Sequence, residues 1–217
     1  MKNVSLTILL VIYYSLTAFA QENDSTQNQK VKYKYRISVP IIAYPQYLDQ
    51  PWNDKTNTQH FEVHIKRNLD DKNIIGIKLA TWRLFQPMGI QWGDDLLDKV
   101  DNGSEYYPGF VRHSGIGLSY QRMLWKGLFS TLEVLPQYKT YLDEDNNKIE
   151  NGFKLYTSVH LGYHIAFGKS KRFFIEPQVH GQFWAIDTEA PEEFKKLDDK
   201  WDDFFLFEPN LYFGVNF

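Results

Sequence analysis

The last fourteen residues, Phe204-Phe-Leu-Phe-Glu-Pro-Asn-Leu-Tyr-Phe-Gly-Val-Asn-Phe217, decide how the rest of the chain is read. Phe205, Phe207, Pro209, Leu211, Phe213, Val215 and Phe217 share one face, while Glu208, Asn210, Tyr212, Gly214 and Asn216 share the other. An extended strand sends successive side chains to opposite sides, so this is a two-faced strand. The pattern recurs upstream. Phe153, Leu155, Val159, Leu161, Tyr163, Ile165 and Phe167 oppose Lys154, Tyr156, Ser158, His160, Gly162 and His164. Phe173, Ile175, Val179 and Phe183 oppose Glu176, Gln178, His180 and Gln182, and Phe61, Val63 and Ile65 oppose His60, Glu62, His64 and Lys66.

Eight such strands are predicted, at 33–45, 59–69, 73–86, 110–124, 128–142, 152–167, 172–187 and 204–217. Strands of soluble proteins usually run about 5 or 6 residues, and a tilted strand crosses a bilayer in about 9 to 11. The connectors sort by length. Asp70-Asp71-Lys72, Trp125-Lys126-Gly127 and Gly168-Lys169-Ser170-Lys171 read as tight hairpin turns. Between them fall the long segments 46–58, 87–109 and 188–203 and an intermediate one at 143–151. Short and longer connections therefore alternate, which places all short turns at one end of an up-and-down antiparallel barrel and the longer loops at the other. That is the layout of an outer-membrane barrel.

The composition agrees. The chain has 217 residues, a formal charge of −3, no cysteine and 17% aromatic residues, and its mean hydropathy is −0.46. Absence of cysteine removes disulfides, thiolate metal sites and cysteine nucleophiles together. A polar average argues against a bundle of membrane helices but not against a barrel, whose alternating faces cancel in the mean. At the start, Lys2, the apolar run Leu6 to Leu16 and Ala18-Phe19-Ala20 read as a signal peptide over residues 1–20. A polar segment, 21–32, then leads into the barrel at 33–217.

The signal peptide, the eight strands and the terminal Phe213, Val215 and Phe217 together resemble the eight-stranded outer-membrane β-barrels of the OmpA, OmpX and OmpW type. The resemblance spans the whole mature chain. It implies residence in the bacterial outer membrane, contact with membrane lipid and lipopolysaccharide, and insertion by machinery that reads the C-terminal Phe. Pro40, Pro136, Pro177 and Pro209 sit inside the proposed strands and each lacks a ladder donor, so bulges or breaks are predicted there. Tyr33, Tyr35, Trp125, Phe167, Phe173 and Phe217 are predicted to form one interfacial girdle, and Phe85, Phe110, Tyr138, Phe183 and Phe205 the other.

By parity the interior receives Lys34, Arg36, Lys66, Lys78, Lys139 and Lys154 together with Glu62, Glu133, Glu176 and Glu208. His60, His64, His160, His164 and His180 point the same way. Eight strands enclose only enough space for side chains, and buried charge must be paired. A salt-bridged plug is predicted in preference to a pore, with the histidines in the same network and no metal site, cofactor or nucleic-acid partner.

Small outer-membrane barrels that modify lipid A use His and Ser with an acidic partner, for which the nearest candidates are His113, Ser114 and Glu105. Adjacent strand residues face opposite sides, so His113 and Ser114 do not meet as base and nucleophile, and no catalytic residue is assigned. Arg83 and Arg112 lie near the long-loop rim, facing outward, as candidate contacts for lipid phosphate. The loops 87–109 and 188–203 are candidate sites for an extracellular ligand, the second with Phe194, Leu197 and Trp201 spaced for a short amphipathic helix. Asp143-x-Asp145-x-Asn147 opens like a calcium loop, but Lys148 and Lys154 stand where that loop needs Gly and Glu, so it reads as a polar hairpin. The role predicted is structural or surface interaction.

Overall fold

The computed structural model describes residues 33–41, 59–87, 106–201 and 203–217; the predicted signal peptide, the segment 21–32, the loop 46–58 and most of 87–109, Glu105 included, lie outside them. The described chain forms β1 (Tyr35–Pro40), β2 (Gln59–Asn68), β3 (Asn73–Leu84), β4 (Phe110–Trp125), β5 (Leu128–Leu142), β6 (Lys148–Tyr163), β7 (Ile165–Phe167), β8 (Phe173–Thr188), one helix α1 (Glu192–Asp198), and β9 (Phe204–Asn216). Gly162 faces Gln178 and Ile165 faces Ile175 in one unbroken register, so β6 and β7 are a single stave. Eight staves run antiparallel, each beside its sequence neighbour, and the ring closes where β1 pairs with β9 from Arg36 opposite Asn216 to Pro40 opposite Tyr212. Phe217 extends the seam: its N–H donates to the Tyr35 carbonyl at 2.9 Å and its carbonyl accepts from the Tyr35 N–H at 2.8 Å. The chain is an eight-stranded antiparallel up-and-down barrel, as the alternation predicts.

The prolines interrupt the ladder without splitting the count. Pro177 lies across from the gap between β6 and β7, where Tyr163 has no N–H to receive from it. Around Pro136 the β4–β5 pairs stop at Gly115 opposite Gln137 and resume at Leu118 opposite Val134. The Pro136 carbonyl there comes within 2.2 Å of where a Gly115 Cβ would be. Pro209 adjoins a bulge between His180 and Gln182, and Pro40 ends β1.

Two predictions need correction. The sixth strand begins at Lys148 rather than 152, so the intermediate connector shrinks to residues 143–147. Asp143 drives this: its Oδ1 accepts the Asp145 and Asn147 backbone N–H groups at 2.9 and 2.8 Å, and Asn146 takes a left-handed φ of 67°. One connection at the long-loop end is thus as tight as those at the other. The second correction concerns the aromatic girdles. At the short-turn end Tyr35, Trp125, Phe167, Phe173 and Phe217 are exposed and Tyr33 is half-buried, but at the other end Phe85, Phe110 and Phe183 are buried and Tyr138 is exposed, the Phe205 side chain lying outside the described ones. Phe85 and Phe110 pack on each other at 5.5 Å with the Arg83 guanidinium 3.8 Å above Phe110, so they serve as a platform rather than a rim.

The faces are inverted relative to a soluble protein. Ile37, Ile65, Ile77, Leu79, Ile116, Leu118 and Leu161 are exposed on the outer wall, while Glu62, Lys66, Lys78, Glu133, Lys139, Lys154 and Glu176 are buried within. Packing inside is tight around Gly214, where a Cβ would lie 2.1 Å from the Phe174 ring and 2.6 Å from the Ile37 carbonyl. Gly214→Ala is therefore expected to cost about 1–3 kcal/mol through overpacking, with Phe174→Leu restoring part of it. Urea unfolding followed by tryptophan fluorescence measures both, and an unchanged G214A midpoint would refute the contact.

Candidate functional site

The interior is stacked in layers, each set by strand register. At the short-turn end the Glu176 carboxylate lies 2.9 Å from His164 Nδ1, 3.3 Å from Lys66 Nζ and 3.7 Å from Arg36 Nη1. Lys66 also donates to Gln121 Oε1 at 2.7 Å. His164 stands opposite Glu176 in the gap left by Pro177, so the break in the ladder is spanned by a side-chain pair.

In the middle layer His60, Glu62 and His64 alternate along β2 and face Trp82, Ala80 and Lys78 on β3. Lys78 Nζ binds Glu133 Oε1 at 2.8 Å and Glu62 Oε1 at 3.0 Å. Glu62 further receives the Trp82 indole N–H at 3.2 Å and the Tyr212 hydroxyl at 3.1 Å, with His60 Nε2 at 3.1 Å and His64 Nε2 at 3.4 Å. Across the lumen, Glu208 accepts from Gln182 at 2.6 Å and lies 2.8 Å from His180 Nε2, whose ring packs 4.7 Å from that of His160. His160 in turn contacts the Ser158 hydroxyl at 3.0 Å.

The upper layer joins Asp187 to Lys139 and, at 2.7 Å, to Lys154. Lys154 lies 4.8 Å from the Trp184 ring centre, and Trp82, Tyr156 and Trp184 form an aromatic cluster beneath it. Helix α1 crosses the mouth above, with buried Phe194 packed on Tyr107 at 4.9 Å and on Tyr141 at 5.0 Å. The Tyr107 hydroxyl donates to Asp198, whose carboxyl burial raises above the usual carboxylate range.

Among the described residues Arg36, Lys66, Lys78, Lys139 and Lys154 thus meet Glu62, Glu133, Glu176 and Asp187, while Glu208 is held by His180 and Gln182. Two water-sized cavities lie among the described interior residues, one against His64, Lys66 and Glu133, the other against His60, Ser158 and Glu208.

Several assignments shift. Lys34 is exposed at the short-turn mouth, its ammonium 5.6 Å from the Tyr35 ring, because it precedes β1 and lies beyond the lumen's last layer. His113 is a sixth interior histidine, buried between Trp82 and Tyr156, whereas Ser114 is on the outer wall with its Oγ 3.0 Å from Thr81 Oγ1. The two are on opposite sides of the sheet. Asp187 has the parity of the outward residues of β8, yet its side chain turns inward. Pairing slips from Tyr156–Trp184 to Leu155–Ile186, so Ala185 is an extra residue that turns Asp187 inward. Trp82, Tyr156 and Tyr212 were legible as members of the inward set, since each shares the parity of a charged neighbour.

In the loop 188–203, α1 forms over Glu192–Asp198, with Phe194 turned into the mouth and Trp201 beyond the helix end. Arg83 and Arg112 lie on the outer wall as direct cross-strand partners. Phe213 stacks on Phe173 at 6.2 Å and Phe217 is exposed at the seam. No group of three or more His, Asp or Glu residues among the described ones has the geometry to hold a metal ion. No protein-family model, curated protein or solved structure matches the chain.

Lys78→Met leaves Glu62 and Glu133 buried without their shared cation and is expected to cost about 3–5 kcal/mol. Lys34→Met, at an exposed end, is expected to change stability by less than about 0.5 kcal/mol. Equilibrium unfolding of both proteins decides the matter; equal stability of K78M and the parent would mean that the plug does not depend on this pair.

Proposed function

We propose that the protein is an integral outer-membrane β-barrel of the OmpA, OmpX and OmpW type, with a structural or surface-interaction role and a lumen closed by its own side chains. The observation that carries this reading is the inverted wall. On β3 and β4 the outward residues run from Arg83 and Arg112 through Thr81 and Ser114, Leu79 and Ile116, Ile77 and Leu118, and Ile75 and Tyr120 to Asn73 and Arg122. Ten residue steps at about 3.3 Å, tilted by about 40°, set the two polar rims about 25 Å apart, the separation expected of rims that flank the apolar band of outer-membrane barrels, with the aliphatic and aromatic residues midway between them. Water would oppose such a surface, and lipid favours it. No helix among the described residues is long and apolar enough to cross a membrane.

The exposed aromatics Tyr35, Trp125, Phe167, Phe173 and Phe217 at the short-turn end fit an interfacial belt. Phe213, Val215 and Phe217 are read as the insertion signal, and outer-membrane lipid with its lipopolysaccharide as the immediate surroundings. The loops 87–109 and 188–203 are the surface offered to an extracellular ligand. The paired interior supports a plug, since free diffusion needs an open path, and the separation of His113 from Ser114 offers no acyl-transfer pair.

The purified protein should migrate faster unheated than boiled in detergent gels and should fractionate with outer membranes. A soluble protein without this shift would overturn the assignment. Planar bilayers containing the folded barrel should stay silent, and discrete ion-selective steps would overturn the plugged lumen.

A further inference from the structure

We propose that Arg83 and Arg112 form a binding site for the phosphate of a lipid headgroup on the outer wall at the long-loop end, an inference that rests on the membrane reading. The two arginines are directly opposite each other across β3 and β4. Like charges in that position repel and destabilise a sheet. Among the described residues neither has a carboxylate partner, and Arg83 Nε has no hydrogen-bond acceptor. The contrast with Arg122 at the opposite rim is direct. Its Nη1 donates to Asn73 Oδ1 at 2.6 Å, and Asn73 donates to Asp70 at 2.7 Å, so that end is satisfied by the protein itself.

Arg83 is also held in place. Its guanidinium lies 3.8 Å from the Phe110 ring centre and 4.7 Å from that of Phe85, and Phe110 is 1% exposed. With Nε buried against the aromatic surface, the guanidinium is fixed with its two terminal Nη groups as the pair left for a planar, two-point acceptor, which is how arginine binds phosphate. Register places Gln59, Arg83, Arg112, Thr140 and Asn151 in one polar row across five strands. Beneath the arginines come the paired hydroxyls of Thr81 and Ser114, then exposed Leu79 and Ile116. A lipid whose chains lie along that apolar wall presents its phosphate at the height of the arginines. This favours a lipid over free phosphate.

The test uses the full barrel, stripped of lipid in a maltoside detergent that carries no phosphate. Phosphatidic acid is titrated against diacylglycerol of the same chains and against inorganic phosphate, with bound lipid read by native mass spectrometry. Phosphatidic acid should bind at least about tenfold more tightly than either comparator. Arg83→Gln should lose about tenfold, the R83Q/R112Q pair should abolish the preference over diacylglycerol, and Arg122→Gln should keep it. Arg83→Lys, which keeps the charge but not the fork, should retain part of the preference and covers failure of the glutamine variants to fold, judged by unheated gel mobility. Equal binding of phosphatidic acid and diacylglycerol, or undiminished binding by R83Q/R112Q, would overturn the site. Inorganic phosphate bound as tightly as phosphatidic acid would overturn the lipid assignment. Failure of the parent protein to insert into phosphate-free glycolipid vesicles would instead overturn the membrane reading, which separates the two.

Discussion

Pairing of β1 with β9 leaves no stave edge free, and the ring it closes is too narrow for water to solvate the charges inside it. Each interior charge must therefore find its counter-charge on another strand. Lys78 on β3 reaches Glu62 on β2 and Glu133 on β5, and Glu62 in turn holds Trp82 of β3 and Tyr212 of β9. A single carboxylate thus ties together strands from both sides of the closing seam. The layers above and below repeat the logic through Asp187 and Glu176. Removing one member strands its partner in a low-dielectric interior, which is why the network stabilises as a unit and why the lumen is a plug.

The same closure dictates the outer wall. With most of the charge drawn inward, the outer wall of β3 and β4 is apolar between its polar rims, from Leu79 and Ile116 to Ile75 and Tyr120. The two ends differ in kind. At the short turns, Asp70, Asn73, Arg122 and Tyr120 satisfy one another, and aromatic rings face outward. At the other end α1 turns Phe194 into the mouth while Arg83 and Arg112 stand outside with no acidic partner among the described residues.

Alternation by itself determined the strands, their number and the inward face of Glu62, Lys66, Lys78, Glu133, Lys139, Lys154, His160, Glu176 and His180, because side-chain direction in a strand follows from backbone geometry alone. Tertiary structure alone decided the inward turn of Asp187, the start of β6 at Lys148, the loss of Lys34 to solvent and the burial of Phe85, Phe110 and Phe183. A bulge such as that at Ala185 arises from how two strands match, and the fate of a residue at a rim depends on what covers it. Both are set by partners distant in sequence, as is the opposition of Arg83 and Arg112, twenty-nine residues apart and brought side by side only by register.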